Sequence, residues 1–120
     1  MAVHEIGHAL GLEHPGNYNG ATDWSKRLYG NDDLMHSIMS YFETPAYTTV
    51  NLDPSTPMLM DVAAIQQKYG ANTTPHSGND TYSWNAPFIQ TLWDAGGTDT
   101  INASNQTISC SIDLHPGSFC

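Results

Sequence analysis

Two histidines four residues apart, a glycine three residues after the second and a third histidine three residues later leave the opening string HEIGHALGLEH few ways to fold. Val3, Ile6 and Leu10 fall on one side of a helical wheel, and His4 and His8 share the opposite side. That is an amphipathic helix over residues 1–12 with imidazoles on its polar face. Gly11 is its natural stop, because glycine tolerates the left-handed conformation that ends helices, and Pro15-Gly16 prevents it from resuming. Residues 15–36 are rich in Gly, Asn, Asp and Tyr without a sustained period, and are expected to form a long ordered loop beside a functional site.

The spacing carries chemistry. Side chains four apart on a helix are neighbours, so His4 and His8 can converge on one ion as two zinc ligands. A sharp turn at Gly11 brings His14 back as the third, leaving one position open for water, the mark of a catalytic rather than a structural zinc. Glu5 projects beside them, where a carboxylate can take a proton from water and later deliver it to a leaving amine. His36, His76 and His115 lack such partners in the sequence and are read as ordinary histidines.

With 120 residues the chain has room for about one small domain's worth of core. Its 12 acidic against 3 basic residues, a formal charge of −9, exclude the basic surface that nucleic acid requires. No apolar run reaches the ~18 residues of a membrane span, and the first residues have no signal-peptide pattern. Cys110 and Cys120 match neither a paired-cysteine zinc site nor a dense disulfide scaffold, and whether they pair is left open. The four Asn-x-Ser/Thr triplets, at Asn72, Asn79, Asn102 and Asn105, are given no role in a chain so rich in these residues.

A second helix is expected over Pro57–Tyr69, with proline in the first turn, Asp61 near the positive end and Gly70 after the last residue. From about residue 72 the pattern changes to short apolar or aromatic runs, Tyr82–Trp84, Phe88–Trp93 and Thr107–Leu114, between Gly, Asn, Asp and Pro, which predicts strands and turns. Trp93-Asp94-Ala95-Gly96-Gly97-Thr98-Asp99 sets two carboxylates around a glycine pair, where side-chain oxygens and freely oriented carbonyls suit one hard cation, calcium above others.

HExxHxxGxxH followed by Ser37-Ile38-Met39-Ser40-Tyr41 resembles the zinc-binding motif and methionine turn of the metzincin proteases. Within them HEIGHALGLEHPGNYN, SIMSYF, PMLMDVAAIQQKYGAN and WDAGGTDTI are similar to the serralysins, secreted bacterial zinc proteases with a calcium-binding C-terminal domain. The resemblance covers nearly the whole chain. It implies an α+β fold: residues 1–71 as the lower half of a metzincin catalytic domain, two helices and long loops, and residues 72–120 as the start of a β-rich calcium-binding domain. It implies that Met39 floors the histidines, and that Tyr41 either ligates zinc or stabilises the oxyanion as a catalytic residue beside Glu5. It also implies calcium on Gly78, Asp80, Asp94, Gly96, Gly97 and Asp99 with the carbonyl of His76. The family commonly has arginine in place of His76 and threonine in place of Asp80.

The implied function is a secreted, extracellular, monomeric metalloendopeptidase acting on proteins or peptides, with Zn2+ and Ca2+ as cofactors and no nucleic-acid or membrane partner. The family's sheet and helix ahead of the zinc helix, and its nonapeptide repeats after the segment matching residue 120, are not in this sequence, so it is expected to be a central part of such a protein. The alternative is a catalytically inactive, extracellular calcium-binding module that keeps a zinc site; an intact Glu5 argues against it. A structural zinc domain would need a fourth protein ligand, for which Tyr41 alone is placed.

Overall fold

The computed structural model of the chain describes residues 2–43 and 52–120. Helix α1 runs Ala2–Ala9 and α2 runs Leu59–Tyr69, while strands β1 (Thr81–Tyr82) and β2 (Thr100–Ile101) pair in parallel with Thr81 opposite Thr100. Two helices and a two-stranded sheet make the described chain α+β. Its residues fall into two compact units, Met1–Ala71 with Phe88–Leu92, and Asn72–Pro87 with Trp93–Cys120. No helix among the described residues is long and apolar enough to cross a membrane.

Helix α1 closes as its sequence demands. Gly11 takes a φ of 87°, Leu12 N–H bonds back to the Gly7 carbonyl at 2.9 Å and Gly11 N–H to the His8 carbonyl at 2.9 Å. This paired closure is the Schellman arrangement, which satisfies carbonyls a helix end leaves bare. It stops the helix at Ala9, earlier than the expected residue 12, because the closing bonds use Leu10 to Leu12. Met1, the expected first helical residue, lies outside the described residues. Helix α2 begins at Leu59, two residues later than expected: Met58 is its extended N-cap residue, and its N–H bonds to the Asp61 carboxylate at 2.8 Å. Gly70, with a φ of 86°, ends it.

The first unit is built around residues 32–42. Tyr18, Leu34, Ile38, Met39, Phe42 and Met58 form its buried apolar core, and His4, Asp32, Asp33, Ser37, Ser40 and Asp61 are buried among them. The expected loop from 15 to 36 contains one 3-10 turn, Trp24–Lys26, capped by the Asp23 side chain on Ser25 N–H.

The strand expectations are corrected. Of Tyr82–Trp84 only Tyr82 is in a strand, and neither Phe88–Trp93 nor Thr107–Leu114 forms one. Residues 88–92 instead run beside the approach to α2, where the Ile89 carbonyl accepts from Ser55 N–H at 2.9 Å and Thr91 N–H donates to the Thr56 hydroxyl at 2.7 Å. Apolar β-branched and aromatic runs favour strands only where a ladder partner exists. The second unit has no fully buried apolar side chain among the described residues. Cys110 and Cys120 are exposed and unbridged.

Candidate metal centre

The four-residue spacing on α1 and the turn at Gly11 bring His4, His8 and His14 together. One ring nitrogen of each lies within 4.8 Å of the others. The His14 Nε2 is 3.1 Å from His8 Nε2 and 3.3 Å from His4 Nε2. The opposite nitrogen of each ring is committed to a backbone carbonyl: His4 Nδ1 to Ile38 at 2.8 Å, His8 Nδ1 to Leu12 at 2.9 Å and His14 Nδ1 to Tyr18 at 2.8 Å. A carbonyl only accepts, so each Nδ1 carries the hydrogen and each Nε2 turns a lone pair inward. Three converging lone pairs repel one another unless a cation sits between them. The donor set therefore fits a zinc ion, with orientation set by bonds from the far side of each ring. Burial holds the His14 imidazole below the usual histidine range, against the opposing hydrogen bond to Tyr18 and with His8 and His4 adding to the effect, which favours the neutral, ligating form.

Around this cluster lies a cleft of about 720 Å³, lined among others by Glu5, Glu13, Tyr18 and Tyr41 with the three histidines. Glu5 is exposed on α1 and is not one of the converging groups. The Tyr41 ring lies 5.7 Å from the His4 ring and 4.6 Å from that of His14, and its hydroxyl accepts from Gly20 N–H at 3.4 Å. Met39, 1% exposed, packs against α1 at Gly7, where an added Cβ would collide with its sulfur. Gly7 is thus the price of bringing the methionine up to the helix that carries two of the histidines.

Sequence reasoning read Asp61 as a favourable charge at a helix start and missed its larger role. It is 3% exposed and accepts from Ser37 Oγ at 2.6 Å, Ile38 N–H at 2.7 Å and Met58 N–H at 2.8 Å. One carboxylate therefore clamps the turn containing Met39 to α2, and Ile38, held by it, supplies the carbonyl that orients His4. An Asp61→Ala variant should lose on the order of 3 kcal/mol of stability, since three donors are left unpaired in a buried place. Chemical denaturation measures this; a loss below about 1 kcal/mol would mean that the donors find other partners. A carboxylate at the third position of a helix was the available signal, but its partners at 37 and 38 were not.

In the second unit one carboxylate oxygen from each of Asp80, Asp94 and Asp99 lies within 4.8 Å of the others. Gly97, at a φ of 129°, lies so close to the Gly78 carbonyl that an added Cβ would collide with it, and Gly96 has a φ of 148°. His76, at a φ of 50°, is in the left-handed region; its carbonyl accepts from Ala95 N–H at 3.3 Å and its Nδ1 is 3.6 Å from the Asp80 carboxylate. Asp99 accepts from Asp80 N–H at 2.9 Å. The Tyr82 hydroxyl, 2.6 Å from Asp94, holds that carboxyl below the usual carboxylate range, and its own ionisation is pushed up in return. Three carboxylates with one neighbouring imidazole leave excess negative charge, and oxygen donors are what a hard cation such as calcium takes.

No protein-family model matches the chain. Among curated proteins, it is 40% identical to serralysin C of Dickeya chrysanthemi, 36% to metallopeptidase AprA of Pseudomonas marginalis and 36% to serralysin of Proteus mirabilis, each over 98% of its length. It spans 28%, 29% and 28% of those relatives, respectively. Over the stretch it spans, the chain is similar to the serralysins.

Proposed function

We propose that the chain carries the zinc-binding part of a metzincin catalytic domain, residues 1–71, and from residue 72 the start of a calcium-binding domain, in a secreted, monomeric metalloendopeptidase that cleaves proteins or peptides. The observation carrying this reading is the commitment of all three Nδ1 atoms to carbonyls, which turns three Nε2 lone pairs onto one point. The metallopeptidase and serralysin names of the relatives support the same class.

His4, His8 and His14 would hold zinc. When bound, the ion supplies Lewis-acid polarisation of a scissile carbonyl and makes water more acidic. Glu5, on the cleft wall, takes the proton as water adds to that carbonyl and returns it to the departing amine. Tyr41, its ring stacked on that of His4 and tilted against that of His14, offers its hydroxyl where negative charge develops on the substrate oxygen. In the second unit Asp80, Asp94 and Asp99, with the carbonyls of His76 and Gly78 and the freely turned backbone at Gly96 and Gly97, would take calcium.

Metal analysis tests the zinc assignment. Purified protein should hold one zinc per chain, and replacing His4 and His8 together by alanine should remove it. Zinc content unchanged in that double variant would overturn the assignment.

A further inference from the structure

Asp32 is fully buried, with 0% exposure, far from the charged surface where a carboxylate usually sits. Its Oδ1 accepts from the Tyr18 hydroxyl at 2.8 Å and the Ser40 hydroxyl at 2.7 Å, while its Oδ2 has no partner among the described residues. The nearby Arg27 guanidinium does not neutralise it: its Nε donates at 3.1 Å to the Asp32 backbone carbonyl instead. A buried carboxylate with one bare oxygen is costly, and the short, charge-assisted bonds to the other oxygen are correspondingly hard to give up.

Both hydroxyl donors lead to the histidine cluster. Tyr18 orients His14 through its backbone carbonyl, and its ring stacks on the His14 ring at 5.5 Å and lies 5.1 Å from the Tyr41 ring. Ser40 directly precedes Tyr41, and its Oγ also accepts from Phe42 N–H at 3.1 Å, so the backbone on both sides of Tyr41 is held. We infer that Asp32 is a positioning residue for the metal centre, locking the loop that carries His14 to the segment that carries Tyr41 through the hydroxyls of Tyr18 and Ser40.

The inference rests on the zinc reading of the three histidines. Its test therefore begins with zinc affinity of the unaltered protein, by competition with a chromophoric chelator. Absence of histidine-dependent zinc binding there would sink both readings together. With binding established, Asp32→Ala should weaken zinc by about 10–100-fold, the usual effect of removing an outer partner of a metal ligand. The visible spectrum of the cobalt-substituted variant should shift, because His14 no longer has a fixed orientation. Tyr18→Phe removes one oxygen and keeps the ring and the carbonyl; it should move both readouts in the same direction by less. Combining it with Asp32→Ala should add little to that variant's loss, since Asp32→Ala already removes the bond that Tyr18→Phe removes. If Asp32→Ala proves unfolded by far-UV circular dichroism, Tyr18→Phe alone decides. Zinc affinity within twofold of the unaltered protein and an unchanged cobalt spectrum, in a folded variant, would overturn the role of Asp32 and leave the zinc site standing.

Discussion

On the proposed metalloendopeptidase reading, Glu5→Gln in a longer, active form of the protein should lower kcat/KM on a denatured protein substrate by about 10²–10⁴-fold, the usual contribution of a positioned general base, while zinc content stays at one per chain. The two effects separate because of where Glu5 lies. It lines the cleft together with the histidines, yet the converging nitrogens belong to His4, His8 and His14 alone. Glutamine keeps the size of the side chain and one acceptor oxygen but cannot take up the proton, so folding and zinc binding are expected to persist while proton transfer is lost. Activity and metal content measured on the same preparation check this. Near-normal turnover in a zinc-loaded variant would remove Glu5 from the mechanism; loss of zinc with activity would make it part of the metal's surroundings.

Calcium should stabilise the second unit strongly, and magnesium much less. The reason is a shortage of other glue: no apolar side chain of that unit is fully buried among the described residues, and its strands are two residues long. Asp80, Asp94 and Asp99 meanwhile hold their carboxylates together in an already acidic chain of net charge −9. A cation that binds only this arrangement adds about 2.7 kcal/mol at a hundred times its Kd, which in a small domain raises the melting temperature by roughly 10 °C or more. Calcium and magnesium must be compared at matched ionic strength, because general screening would relieve part of the repulsion with either ion. Magnesium demands a tight octahedral shell that a mixture of carbonyls and carboxylates suits poorly. Asp99→Asn keeps an acceptor for Asp80 N–H but removes the charge, and should largely erase the difference between the ions. Equal stabilisation by both ions, or a calcium effect that survives loss of charge at both Asp94 and Asp99, would reduce the stretch to a turn.

How far the fold was legible depended on distance along the chain. The convergence of His4, His8 and His14 spans ten positions and needs only a helical period and one glycine of positive φ, so it can be read directly from the string. The end of α2 at Gly70 is local in the same way. The strands were not legible: Phe88–Trp93 and Thr107–Leu114 have suitable residues, but a strand is a pairing, and the pairing found joins Thr81–Tyr82 to Thr100–Ile101. The start of α2 shifted by two residues and the end of α1 by three because capping and closing bonds, including that of Met58 N–H to Asp61, consumed the residues at those edges.

By itself, the sequence determined which side chains meet when only a turn of helix or a glycine bend separates them: the three histidines with Glu5 beside them, and Asp94 and Asp99 around a glycine pair. Intrinsic backbone preferences settle such geometry, and they act over a few residues. Only the tertiary structure decided which polar groups are buried to hold these sites in place. Asp61 reaches back 24 positions to Ser37, and Asp32 reaches 14 positions to Tyr18. Nothing in an aspartate's neighbours along the chain marks it for burial. Its place is set by the long-range packing that removes it from water, after which each of its oxygens must take whatever donors the fold brings near or go without, as one oxygen of Asp32 does.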